Sequence, residues 1–335
     1  MDSLTQMALG AAIGGATLGR TVGRRAVAWG AVCGTLPDLD VFVPFGDPVM
    51  DFTYHRSFSH SLIVLTLVAP LIAWLILKLH PDTAAQRRGW LLMVWVALVT
   101  HPLLDSFTVY GTQLFWPLDN TPVSGSTLFI IDPAYTLPLL AGVTAALAAG
   151  RGRRWGAPAC VIALAVSTAY LGWSVAAKQH VERVAAASLK EQGIAYTRLL
   201  STPAPFNTVL WRLVAMDEHG YHEGWYSLLD PRPDVRFRHY PSEVHLLKGL
   251  ENSWAVRRLQ WFTHGFYSVR RVADRVVITD LRMGLEPDYV FRFAVGEIGN
   301  PHPRPVATEQ LPVRRSFERL RWVLTRIGSA STPEE

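Results

Sequence analysis

Four stretches without a charged side chain, 62–77, 89–104, 134–150 and 155–177, set the first limit on what this chain can fold into. A helix needs about 17 to 25 residues to cross a bilayer core, and each stretch nears that length once its flanks are counted. Trp90, Tyr135, Trp155, Tyr170 and Trp173 sit near the ends, where membrane interfaces favour aromatic rings. Four buried helices of a water-soluble protein would need more polar surface than these stretches offer, so membrane insertion is the expected state.

Charge follows the same division. Residues 1–177 hold 10 Lys and Arg and 9 Asp with no Glu, whereas 178–335 hold 22 basic and 18 acidic side chains. The expected organisation is a helical membrane domain over 1–177, a small α+β soluble domain over 178–328 and a disordered tail over 329–335. Two weaker apolar segments, 4–19 and 26–36, bring the membrane domain to about six transmembrane or membrane-embedded helices. Gly10 and Gly14, Gly15 and Gly19, and Gly30 and Gly34 are spaced by four, which lets helices approach closely in lipid. Asp2 stands where a signal peptide would carry basic residues, so the first segment is expected to be retained.

The loops orient the chain. If six helices alternate, one side receives Arg20, Arg24, Arg25, Lys78, Arg87, Arg88, Arg151, Arg153 and Arg154, against Asp82 alone. The other receives Asp2, Asp38, Asp40, Asp47, Asp51, Asp119 and Asp132, against Arg56 alone. Basic loops face the cytoplasm, so both termini and the acidic loops are expected outside it. The net charge of +5 is therefore a topology signal, and no nucleic-acid partner is expected. Cys33 and Cys160 both lie in apolar stretches and read as buried, inert thiols.

Beyond 177 the pattern changes. Residues 178–192 read as a helix leaving the membrane, 211–216 and 221–228 as a hairpin around Asp217-Glu218-His219-Gly220, 251–262 as a helix, and 276–281 and 289–295 as strands.

Polar residues of the membrane half gather in clusters. Pro37-Asp38-Leu39-Asp40 follows the second segment, His55-Arg56-Ser57-Phe58-Ser59-His60 opens the third, and His101-Pro102-Leu103-Leu104-Asp105 ends the fourth. Three His and three Asp on one face suit Zn²⁺, Mn²⁺ or Mg²⁺. His101 and Asp105 at i, i+4 share a helix face, and Asp38 and Asp40 flank one residue of a turn. Each alone also reads as a loop acid, a cap or a satisfied core histidine; their convergence makes a site for one or two divalent ions, with Asp38, Asp40, His55, His60, His101 and Asp105 as candidate ligands. Asp40 is also the candidate general base. Arg56 is placed either to contact a substrate phosphate or carboxylate or to pair with Asp47 or Asp51.

MDSLTQ, PDLD, HRSFSHSL, HPLLD and YGTQLFWPL together resemble the YdjM-like family of membrane-bound metal-dependent hydrolases, also labelled LexA-binding inner-membrane hydrolases. The similarity spans the membrane half, and WFTHGFY, DLRMG and YVFRF resemble the C-terminal region of longer members. PDLD, HRSFSHS and HPLLD are also similar to metal-binding segments of zinc-dependent phospholipase C proteins. That similarity implies Asp38, His55, His101 and Asp105 as first ligands, with Asp40 and His60 serving a second metal or the substrate. Ser57 stands where Gly commonly follows His-Arg in that family. The LexA label implies a cytoplasmic partner or a link to the DNA-damage response, whereas the loop charges put the termini on the other side.

The expectation is a multi-pass bacterial inner-membrane hydrolase whose metal, zinc first, activates water against a phosphoester or ester of a lipid or lipid-linked amphiphile at the outer face. The alternative is a non-catalytic metal-dependent scaffold or sensor. A transporter would hold its ligands near the midplane of broken helices rather than at one end. Gly-x-Ser-x-Gly, a phosphate loop and Cys-x-x-Cys are all absent from the sequence, so serine hydrolase, NTPase and thiol-redox readings lack support.

Overall fold

Asp2 accepts hydrogen bonds from the backbone N–H groups of Leu4 and Thr5, both at 3.1 Å, and so caps α1 (Ser3–Leu18). Against it lies α2 (Arg24–Thr35), and glycine sets the separation. A Cβ on Gly10 would meet the Gly30 carbonyl oxygen at 2.1 Å, and one on Gly30 would meet that of Gly10 at 2.1 Å. The two backbones are in contact, as the four-residue glycine spacing predicts.

In this computed structural model, residues 1–151, 153–313 and 317–328 are described, and they form two units, Met1–Val43 with Arg56–Ser174, and Pro44–His55 with Val175–Glu335. The expected tail at 329–335 lies outside the described residues.

The first unit is helical. After α2 a tight 3₁₀ segment, Leu36–Phe42, carries the PDLD motif. Further along, a short turn, Phe58–His60, precedes α4 (Leu62–Leu79), which Ser61 caps; α5 (Arg87–Asp105) and α6 (Pro133–Ala149) follow. Leu9 and Ile13 of α1 pack in one core with Ala69, Ile76, Trp90 and Leu139. The long α7 (Gly156–Glu191) runs without a break through 155–177 and 178–192, which the sequence reads as separate segments.

Among the described residues, α4 and α7 are long and apolar enough to cross a membrane, and only 22% of the most apolar window of each is buried. Leu67, Leu71 and Trp74 of α4 and Ile162 and Trp173 of α7 point outward. A core helix of a soluble protein would hide such faces. By contrast, α2 has 12 residues. At 1.5 Å per residue that is about 18 Å, short of the roughly 30 Å hydrocarbon layer.

The second unit is rich in β-structure. One antiparallel sheet has the order β1 (Arg198–Pro203), β2 (Leu210–Met216), β3 (Gly220–Ser227), β4 (Arg238–Pro241). A second antiparallel sheet has the order β10 (Arg304–Gln310), β9 (Arg292–Glu297), β6 (Arg275–Asp280), β5 (Tyr267–Val272), and β7 (Gly284–Leu285) pairs with β8 (Asp288–Tyr289) in a separate two-stranded sheet. The helices α8 (Trp254–Phe262) and α9 (Phe317–Arg326) complete it. The short α3 (Pro48–Tyr54) belongs here rather than with the helical half, where the sequence put it. Its Phe52 ring packs 4.8 Å from Phe262, 4.3 Å from Phe291 and 5.3 Å from Phe293, an apolar seat that linear order could not reveal.

Candidate metal centre

Three turns of the first unit bring four ligand-type side chains together. Asp38 comes from the 3₁₀ segment after α2, His60 ends the turn before α4, and His101 and Asp105 occupy successive turns at the end of α5. One ligand atom from each lies within 4.8 Å of all the others. His60 Nε2 is 3.2 Å from His101 Nε2, 3.5 Å from Asp38 Oδ1 and 3.2 Å from Asp105 Oδ2. His101 Nε2 is 3.3 Å from Asp38 Oδ1 and 3.6 Å from Asp105 Oδ2. A zinc ion with four tetrahedral ligands at about 2.0–2.1 Å would hold those atoms about 3.4 Å apart. Five edges of the tetrahedron cluster around that value.

The neighbours fix which ring nitrogen each histidine offers. His101 Nδ1 lies 2.7 Å from the Gly34 carbonyl, which can only accept, so Nδ1 carries the hydrogen and Nε2 faces the group. That carbonyl is available because it ends a helix. Ser59 Oγ donates to Asp40 Oδ2 at 2.6 Å and lies 2.9 Å from His60 Nδ1. Its single hydrogen is committed to Asp40, so His60 Nδ1 donates to Oγ, and again Nε2 faces inward. Metal-binding histidines are oriented by such outer partners.

His60, His101 and Asp105 are fully buried, and Asp38, with its side chain 14% exposed, is the opening to solvent. Asp105 Oδ2 lacks a partner in hydrogen-bond geometry, although charged nitrogens stand nearby. A bound cation is one partner that would satisfy such a buried carboxylate oxygen. Burial works to raise the Asp38 carboxyl, and the imidazoles of His101 and His60 outweigh it and hold it below the usual carboxylate range. The donor set therefore has the composition and spacing to hold a metal ion.

The remaining predicted residues take surrounding places. Asp40 lies outside the group of four and binds the Arg56 backbone N–H at 3.0 Å as well as Ser59. Arg56 is buried, with Nε 3.3 Å from Asp105 Oδ2, Nη1 donating to Thr108 Oγ1 at 3.2 Å and its guanidinium 5.0 Å from the centre of the Tyr110 ring. Its φ of 62° is left-handed, a costly conformation for a non-glycine residue that recurs at functional sites. His55 caps the C-terminal end of α3 in the second unit and is outside the group, which contains His60.

Sequence reasoning missed Gln6 and assigned no role to Ser59. Gln6 Nε2 donates to Asp105 Oδ1 at 2.9 Å and to the His101 carbonyl at 3.1 Å. The Met1 amino group also donates to Asp105 Oδ1. Gln6 closes the MDSLTQ motif, which was a signal for it, although no role followed from that.

The model of a family described as YdjM inner membrane protein matches residues 1–181. The uncharacterized protein YfhP of Bacillus subtilis (strain 168) is 29% identical over 157 residues, covering 45% of this chain and 47% of that protein. The inner membrane protein YbcI of Escherichia coli (strain K12) is 38% identical over 88 residues, covering 26% of this chain and 49% of that protein. The chain thus spans about half the length of the curated relatives it matches. No solved structure matches it.

Proposed function

The chain belongs to the YdjM inner membrane protein family, and from that premise we propose that it is a membrane-bound, metal-dependent hydrolase of a phosphoester or ester carried by a lipid or lipid-linked amphiphile. The observation that carries this reading is the near-tetrahedral set of donor atoms from Asp38, His60, His101 and Asp105, of which Asp105 Oδ2 has no hydrogen-bond donor. Two imidazoles and two carboxylates favour zinc over harder ions. A divalent ion held there would supply a Lewis acid and an activated water at neutral pH.

The chain's own residues then have distinct tasks. His60 and His101 present Nε2 because Ser59 and the Gly34 carbonyl hold their other nitrogens. Asp40 acts through Ser59 as a positioning residue. Arg56 and Gln6 hold Asp105 in place and offset its charge in a buried setting. Asp38, at the opening, is where a substrate oxygen would arrive as a further ligand. Besides α4 and α7, the apolar α1, α2, α5 and α6 are membrane-embedded in this reading, with the centre and the C-terminal unit on the extracytoplasmic side of a multi-pass protein.

One observation favours the second reading, a metal-dependent scaffold or sensor: four protein ligands close a tetrahedron, as structural zinc sites do. The two separate in one assay. Full-length protein is loaded with Zn²⁺ in detergent and mixed with phospholipids, and release of water-soluble phosphate is followed. Release that Asp38→Asn abolishes supports the hydrolase. No release from any lipid class, in a preparation shown to hold metal, supports the scaffold.

A further inference from the structure

We propose that Asp217, His222 and His239 form a second divalent-metal site, in the C-terminal unit, which clips the edge strand β4 to the β2–β3 hairpin. It shares no residue with the centre of the helical unit and does not depend on that reading.

The hairpin turn prepares the carboxylate. Asp217 Oδ1 accepts from the backbone N–H groups of His219 at 2.7 Å and Gly220 at 2.6 Å, which pins the side chain at the turn. Its other oxygen, Oδ2, then faces two imidazoles, 2.9 Å from His222 Nε2 and 3.4 Å from His239 Nε2. His222 and His239 are direct partners in the β3–β4 register, and their ring centroids are 4.8 Å apart. Directly opposed residues on adjacent strands share a sheet face, so both rings reach the same point. One donor atom from each of the three residues lies within 4.8 Å of the others.

A turn that needed only a hydrogen-bonded partner would be complete with one histidine. Two imidazole nitrogens converging on one carboxylate oxygen, at spacings near those of tetrahedral zinc ligands, make a three-residue set that water would complete. Imidazole with carboxylate selects borderline ions such as Zn²⁺ over Mg²⁺ or Ca²⁺. The site lies at the surface, with the His239 side chain 41% exposed, so an ion has direct access. The element that gains most is β4, a strand of four residues that pairs with β3 alone in its sheet. A short edge strand of this kind is weakly held, and an ion bridging His239 to His222 and Asp217 fixes it.

Full-length protein in detergent, stripped with a chelator, is titrated with Co²⁺ while ligand-field absorption reports occupancy and Zn²⁺ competition reports affinity. Wild type, His239→Ala and His60→Ala are compared, with circular dichroism as the check on folding; His239 is exposed enough that its loss should leave the fold intact. The expected result is that His239→Ala binds one Co²⁺ fewer than wild type. Asp217→Asn, whose amide oxygen can still accept the turn hydrogen bonds, should bind Co²⁺ at this site at least about 10-fold more weakly. Equal stoichiometry in wild type and His239→Ala, or unchanged affinity in Asp217→Asn, would overturn the proposal. A single ion lost with His239→Ala upholds it and counts against the helical centre, and a single ion lost only with His60→Ala does the reverse.

Discussion

Ser59 commits its one hydroxyl hydrogen to Asp40 and thereby obliges His60 to present Nε2 to the metal group. Removing that hydroxyl frees the imidazole to turn or change tautomer while leaving all four ligands in the chain. Ser59→Ala should therefore lower Zn²⁺ affinity by about 10- to 100-fold without unfolding the protein, as read by competition with a chelating dye. Asp38, His60, His101 and Asp105 were visible in the sequence because few polar residues interrupt the apolar half, and each of those stands in a cluster. That His60 and not His55 joins the group was not visible, because it rests on the left-handed turn at Arg56 and the 3₁₀ turn that follows. Gln6 and Ser59 stood inside the MDSLTQ and HRSFSHSL motifs, but their roles were hidden: a single amide or hydroxyl has no spacing that marks what it holds.

A buried polar bolt ties the β1–β4 sheet of the C-terminal unit to the chain just past β6 and to β8. Arg212 of β2 donates to Glu223 of β3 at 2.8 Å, to the Leu281 carbonyl at 2.6 Å and to the Tyr289 hydroxyl at 2.9 Å. Both charges are almost fully buried, so cutting one partner leaves the other without compensation. Glu223→Ala should destabilise this unit by about 3–5 kcal/mol, seen as a lower denaturant midpoint of its β-sheet signal. The strands that sequence reading recovered, β2, β3, β6 and β9, are mostly buried. β4 and β10 escaped because their side chains are mostly exposed, so no apolar alternation marks them. In the helical unit the glycine pairs of α1 and α2 were legible as spacing, and the contact of Gly10 with Gly30 is what that spacing produces.

At the scale of the whole molecule, two observations concern the membrane. α4 and α7 have length, apolar composition and outward apolar faces, and the loop charges separate by sign. The count of about six helices rested on apolar runs alone, and runs as short as α2 satisfy it without the length to span. The charge separation predicts that alkaline phosphatase fused after the C-terminal unit is active, whereas the same reporter fused after Arg88 is inactive. An inactive C-terminal fusion would put the metal centre on the cytoplasmic face. The central claim, that Asp38, His60, His101 and Asp105 hold one divalent ion, is tested most directly by counting metal. Full-length protein carrying His239→Ala, to silence the second site, is purified without chelator and analysed for bound zinc. The account predicts about one tightly held ion per chain, lost in the further variant His101→Ala while the helical content remains. A protein purified in this way that holds no divalent ion, or one that keeps the same ion when His101 is gone, would contradict it.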